Sequence, residues 1–213
     1  LECRAVDQLN AQFGLVALLG VTLANLIAYV LKFDETKIRT GFYGFNGILL
    51  GSAAVFYFQM SVFLLLFVCI FIVITFFVSA VLEHLLASLL NLPGLSLPFV
   101  ATLYMFIVFL TNFDGIPQRE FAFIDYGFLG FLPSIFHTYF KSLALIVFQS
   151  SILSGIAFAL AILMFSRVMF ILSLIGFFAN YVFVNMLFQQ QTESLVILSG
   201  FNSILTAFAL GGN

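Results

Sequence analysis

Seven apolar runs, roughly 13–31, 41–58, 62–82, 97–113, 143–165, 168–188 and 195–210, occupy more than half of this 213-residue chain. A hydrocarbon core about 30 Å thick is crossed by about 20 apolar helical residues. Lipid-facing backbone has to satisfy its own hydrogen bonds, so such runs read as helices. Strand alternation is absent, and the runs are longer than a barrel strand needs, which removes the β-barrel. A soluble domain carries about 25% charged residues to wet its surface; here the share is 8%, against 63% hydrophobic. Two Cys exclude a disulfide scaffold, and a net charge of −2 without a basic cluster excludes a nucleic-acid binder. The fold class that remains is an all-α integral membrane protein.

Between the runs lie Lys32–Arg39, the stretch from Asn112 to Asp125 with an amphipathic piece reaching Lys141, a tight Ser166–Arg167, and Gln189–Ser194. The loop 32–39 holds Lys32, Lys37 and Arg39, the densest positive charge, and the positive-inside rule makes it cytoplasmic. Counting spans onward places Asn112–Lys141 outside, Arg167 inside and Gln189–Ser194 outside. The chain then divides into a polar start at 1–12, read as a trimmed end, a first half at 13–113, an extramembrane connection at 114–141 and a second half at 142–213.

The chain also matches itself at a constant offset of 156. Leu18-Leu19-Gly20 aligns with Leu174-Ile175-Gly176, and Gly44-Phe45-Asn46-Gly47-Ile48-Leu49 with Gly200-Phe201-Asn202-Ser203-Ile204-Leu205. About ten positions between 18 and 53 are identical without a gap. By the span count, the equivalent loops 32–39 and 188–195 face opposite sides, and only the first is basic. Duplicated halves in opposed orientation, with a site at their shared midplane, are a transporter architecture. The expected arrangement is an inverted-repeat helical bundle with broken or re-entrant segments.

Three stretches carry polar chemistry inside the apolar sequence. In Asn91-Leu92-Pro93-Gly94-Leu95-Ser96-Leu97-Pro98-Phe99, two Pro and a Gly within six residues oppose a regular helix. Irregular backbone at membrane depth is tolerated where it is buried in protein or lines a wet cavity. The freed carbonyls and the Ser96 hydroxyl would then act as acceptors; a short surface turn is the plainer reading. The paired boxes give Phe45, Asn46, Phe201 and Asn202 as candidates for a path, or as Asn side chains that bond a broken helix and fix packing. Phe148-Gln149-Ser150-Ser151, with Leu145 just before it, opens the run at 143–165 and offers either a flat slot with polar edges or small-residue packing. Glu83-His84 is the one ionisable pair within a long run, either a proton relay or an interfacial pair. His137 has no partner at ligand spacing, and no Walker, GxGxxG or GxSxG motif appears, so neither a metal nor a cofactor is expected.

At these residues the chain resembles the urea transporter family. The resemblance rests on Gly41-Phe42-Tyr43-Gly44-Phe45-Asn46-Gly47, on Leu92-Pro93 with Ser96-Leu97-Pro98-Phe99, and on Gly200-Phe201-Asn202-Ser203-Ile204-Leu205-Thr206-Ala207 with Leu210-Gly211-Gly212. It covers about residues 14 to 212. It implies passive, selective conduction of urea or a closely related small amide. The pore would lie within each protomer of a homotrimer in a cell (inner or plasma) membrane. In that family urea passes flat between Phe rings, its N–H groups facing a ladder of oxygens. Carried over by position, Phe148 matches the slot Phe of the second half, and Ser96 stands where a ladder Thr is usual. Pro93, Leu97, Pro98 and Phe99 match the pore-lining turn. Leu145 departs from the family's Gln or acid, and Ser151 from its Asn. Shifting 148–155 back by 156 lands before residue 1, and shifting 91–99 forward lands past Asn213. The resemblance therefore implies a piece of a longer two-fold chain. Three other readings stay open: a pore of the same layout for ammonia, water or another small solute, as Leu145 suggests, an inactive fragment, and an intramembrane enzyme using Glu83 and His84.

Overall fold

The computed structural model describes residues 2–90, 96–113, 115–119, 132–149, 151–188 and 192–211, without the side chains of residues 2–10 and 90. The chain divides into two compact units, Leu1–Phe121 and Ala122–Asn213. The first holds α1 (Glu2–Val30), α2 (Glu35–Arg39), α3 (Phe42–Tyr57), α4 (Val62–Leu90) and α5 (Leu97–Thr111). The second holds α6 (Ser134–Leu145), α7 (Ile152–Phe165), α8 (Arg167–Leu187) and α9 (Glu193–Gly211). Among the described residues, four stretches are long and apolar enough to cross a membrane: Ala11–Val30, Val62–Leu89, Arg167–Leu187 and Glu193–Gly211. Phe42–Tyr57, Leu97–Thr111 and Ile152–Phe165 are apolar but shorter. At 1.5 Å per residue the 14-residue α7 reaches about 21 Å, well under the hydrocarbon thickness.

In the first unit the helices are punctuated by capping chemistry. Lys32 takes the left-handed conformation at φ 55°. The Lys32 and Phe33 N–H groups bond back to the Tyr29 and Ala28 carbonyls, closing α1 with a Schellman turn. Asp34 then caps α2 by accepting the Thr36 N–H at 2.9 Å, and Gly41 at φ 76° starts α3. The Ser61 hydroxyl accepts the Leu64 N–H at 3.0 Å where α4 begins. Twelve residues of the 16-residue α3 are buried, so it forms the unit's core, with α1, α4 and α5 packed on it. At the far end of α3, the Arg119 N–H bonds the Tyr57 carbonyl at 2.8 Å and the Gln59 N–H bonds the Pro117 carbonyl at 3.0 Å.

Glycine decides how closely α1 meets α3. A Cβ on Gly20 would run into the Gly47 carbonyl, and one on Gly51 would fall 2.5 Å from the Val16 carbonyl oxygen. In the second unit, a Cβ on Gly176 of α8 would come 2.7 Å from the Ser203 carbonyl oxygen of α9. Gly176 and Ser203 stand at the offset of 156 from Gly20 and Gly47. Each unit thus holds one helix pair that crosses at the same register.

The second unit departs from the sequence expectation of a single span over 143–165. A Cβ on Gly155 of α7 would run into the Phe140 carbonyl of α6, an approach that an unbroken helix through both residues could not make. The chain bends after Leu145 and folds back, so 143–165 is the end of one helix and the whole of another. Residues 134–141, expected in an extramembrane connection, form most of α6, and Thr138, Tyr139 and Lys141 are buried. The Tyr139 and Ser173 hydroxyls meet at 2.7 Å, while Ser142 and Phe177 both lie against Gly200. So α6 and α8 run the same way, and α7 and α9 run against them. One end of the unit carries the bend that follows Leu145 and the start of α9, and the other carries Ser134 and Arg167. With two helices where one span was counted, the crossing count no longer decides the orientation of the second copy.

Candidate functional site

The bend after α6 carries a local backbone constraint. After α6, the Phe148 N–H bonds the Leu145 carbonyl at 3.0 Å and the Gln149 N–H bonds the Ala144 carbonyl at 3.0 Å. That is a second Schellman turn, and its left-handed residue is Phe148 at φ 57°. Glycine usually takes this position because a Cβ costs roughly 1–2 kcal/mol there. An aromatic ring is therefore held at the tip of the helix pair against local preference, and strain of this kind clusters at functional sites. Phe148 and Gln149 are half-buried, while Leu145 is buried one turn back on α6. Four sequence candidates are thereby placed together: Leu145, Phe148, Gln149 and, at the start of α7, the buried Ser151.

The two Gly-Phe-Asn boxes differ in their surroundings. In both, the glycine is a contact point: a Cβ on Gly44 would meet Val21 and Asn25 of α1, and one on Gly200 would meet Phe177 and the Ser142 hydroxyl. Asn202 is exposed, and its amide N–H bonds the Leu198 carbonyl of its own helix at 3.3 Å. Asn46 is 1% exposed, and neither its Nδ2 nor its Oδ1 has a hydrogen-bond partner. The expectation of an Asn that bonds a broken helix is not met, because α3 is continuous and Asn46 bonds nothing. Phe45 is exposed and Phe201 half-buried. Two further buried oxygens in the first unit, Asn25 Oδ1 and Ser79 Oγ, also lack partners.

The proline-punctuated stretch is more regular than expected where it is described. Pro93 and the rest of 91–95 lie outside the described residues. From Leu97 the chain is already helical, with Pro98 in the first turn, where its missing N–H costs nothing. Leu97 is exposed, while Pro98 and Phe99 are buried. Of the carbonyls in this stretch that are described, that of Ser96 accepts the Val100 N–H at 3.0 Å and that of Pro98 accepts the Thr102 hydroxyl at 2.8 Å, while those of 91–95 lie outside the described residues. Ser96 sits at the N-cap without using its hydroxyl to cap the helix. Thr102 in turn meets Thr75 of α4, whose hydroxyl donates to it at 2.9 Å. The sequence reading passed over this buried pair, since single Thr residues in apolar runs are commonplace.

Glu83 and His84 fall inside α4, yet toward its charged end. Glu83 lies 3.6 Å from Lys37 of α2, and a pocket of about 410 Å³ there is lined by both residues with Asp34, Tyr43 and His84. Partly exposed ion pairs of this kind contribute about 0–1 kcal/mol. Among the described residues no group of three metal-ligating side chains occurs. Replacing Glu83 by Gln and His84 by Asn together is expected to leave solute flux within about two-fold of the parent. An intramembrane enzyme built on this pair requires its activity to vanish instead.

Lys141 was named in the sequence only as the end of an amphipathic stretch. Its side chain is 3% exposed, and its Nζ donates to Glu193 Oε1 at 2.8 Å. Next to it, the Ser142 hydroxyl donates to the Ile197 carbonyl at 3.2 Å. α6 is thus tied to the first turns of α9 just before the bend. Compared with known families, residues 5–213 match the model of the family described as Urea transporter. A search of curated proteins returned no match.

Proposed function

Because this chain belongs to the urea transporter family, we propose that it lets urea, or a closely related small neutral amide, cross the bilayer passively through a narrow uncharged passage. The observation that carries this reading is Asn46, a buried amide whose donor and acceptor are both unspent. An unpaired buried polar group costs roughly 1–3 kcal/mol, and a solute that offers both a carbonyl and N–H groups relieves it. Urea is planar, neutral and rich in N–H, so it needs acceptors at its edges and apolar walls on its faces. Within the second unit, Phe148, presented at a strained bend, is suited to supply such a face, and Gln149 beside it a polar edge. Binding without a formal charge stays weak enough for release.

We further propose that the two copies face opposite sides of a cell membrane, and that the chain works as a homotrimer. The support is the offset of 156, the shared glycine crossing, and the contrast between basic 32–39 and a 188–195 loop without Lys or Arg. Single cysteines at Lys37 and Gln190 are expected to react with a membrane-impermeant maleimide from opposite sides.

Stopped-flow light scattering of proteoliposomes under a urea gradient tests the main reading. Urea permeability well above that of empty vesicles, indifferent to proton and sodium gradients, is the expected result. Permeability equal to empty vesicles rejects it. Flux of ammonia or water without competition by thiourea or methylurea favours the less polar pore that the buried Leu145 suggests.

A further inference from the structure

The pocket of about 410 Å³ at α2 and the end of α4 takes no part in the passage proposed above. Its volume falls within the usual range of small-molecule sites, about 300–1,000 Å³. Opposite charges line it at short spacing. Asp34, the N-cap of α2, and Lys37 stand three residues apart, which on a helical turn sets Cβ atoms about 5–6 Å from each other. Glu83 and His84 enter from α4, and Phe33 and Ala80 add apolar wall.

Both charges of α2 keep capacity for a ligand. Lys37 Nζ lies 3.6 Å from Glu83, an ion pair longer than a hydrogen bond. An ammonium has three donors, so this contact leaves N–H groups for a further acceptor. Asp34 accepts the Thr36 N–H at one oxygen and is exposed, and a carboxylate accepts at its other oxygen as well. His84 is exposed too, and an imidazole carries an N–H donor whether neutral or protonated. Glu83 serves only as the counter-ion of Lys37. A ligand that answers this pattern holds an anion and a cation a few bonds apart. In phosphoethanolamine four bonds part phosphorus from nitrogen, a reach that suits Lys37 and Asp34, and its methylenes suit the apolar wall. Phe77 stands two turns before His84 on one face of α4, with Val81 between them, and both are exposed. An apolar strip thus leads from the pocket toward the middle of α4, where acyl chains lie.

We infer that this pocket binds a phosphate-linked ammonium, the phosphoethanolamine headgroup, with the phosphate at Lys37 and His84 and the ammonium at Asp34. The site is read by binding rather than by flux, so it stands or falls apart from the urea passage. The test is native mass spectrometry of the full chain in detergent, with phosphatidylethanolamine and phosphatidylglycerol of identical acyl chains, and free phosphoethanolamine in a separate arm. The parent is expected to retain phosphatidylethanolamine about ten-fold or more over phosphatidylglycerol, the factor that one charge-assisted contact supplies. Asp34→Asn removes the charge but keeps a good N-cap, and is expected to bring the two lipids level. Lys37→Met is expected to lower retention of both about ten-fold. Free phosphoethanolamine that binds the parent and not Asp34→Asn upholds the site with a soluble ligand, whereas preference for the lipid alone assigns it to the bilayer. Equal retention of the two lipids by the parent, with no binding of free phosphoethanolamine, overturns the inference. So does an undiminished preference in Asp34→Asn, or undiminished retention in Lys37→Met. Asp34→Ser, a second neutral cap, replaces Asp34→Asn if that variant does not fold; failure of both makes Asp34 a structural group and overturns the inference as well.

Discussion

Asn46→Leu is expected to raise the protein's thermal midpoint and to lower its urea permeability at least ten-fold. The two effects come from one cause. Asn46 is 1% exposed and spends neither amide atom on a partner, so its burial is a standing penalty of roughly 1–3 kcal/mol. Leucine keeps the branching at Cγ and removes both polar atoms, although its greater volume offsets part of the gain. If that amide greets the solute, the same change removes a contact that urea needs when it leaves water. Trading stability for function in this way is common where a site needs strained or unsatisfied groups. Thermal melting in detergent and stopped-flow flux, measured on the same preparation, decide it. A more stable protein with unchanged flux takes Asn46 off the path. A fall in both assigns it to packing.

Gly155→Val and Gly20→Val are expected to abolish the folded state, whereas Gly14→Ala stabilises it. At Gly155 and Gly20 a Cβ meets backbone carbonyls, of Phe140 and Gly47 respectively, while at Gly14 it meets nothing within 4 Å. Backbone cannot swing aside like a side chain, so relief means separating two helices over their whole contact. Overpacking a tight core typically costs about 1–3 kcal/mol, and a carbonyl clash at a helix crossing belongs at or above the top of that range. Small residues at such crossings are what let membrane helices approach. An Ala in place of an unhindered helical Gly gains about 0.5–1 kcal/mol. Size-exclusion profiles after stepwise heating give the order directly. Survival of Gly155→Val with a parent-like profile contradicts the fold-back of α6 and α7.

The helices were legible in the sequence because lipid leaves the backbone little choice. The long apolar stretch 62–82 lies within α4, and 168–188 lies within α8 but for Phe188, its C-cap. The match of Gly20 with Gly176 was legible too, although not that each seats its helix against a neighbour's backbone. The bend at Phe148 was not. Nothing in Leu145-Ile146-Val147-Phe148 breaks a helix by propensity, and the turn forms with a Phe where glycine is the usual signal. The close packing of Gly155 on Phe140 accompanies it. The unlike fates of Asn46 and Asn202 were hidden for another reason: identical triplets say nothing of what neighbouring helices cover. Lys141 stood in the sequence only as the end of an amphipathic stretch, because Glu193, the carboxylate it meets, is 52 residues away. In the proline stretch the expected irregularity ends by Leu97, since Pro is at ease in a first turn.

The left-handed backbone at Phe148 bears on how this protein can be engineered. Glycine there removes a Cβ cost of roughly 1–2 kcal/mol, but it also removes a half-buried ring whose burial is of similar worth. The two changes offset each other, so heat tolerance or yield in detergent reports little of the exchange. Variants intended for crystallography or biosensing should therefore be checked for permeation at each round, because folding alone does not guard the aromatic ring at this codon.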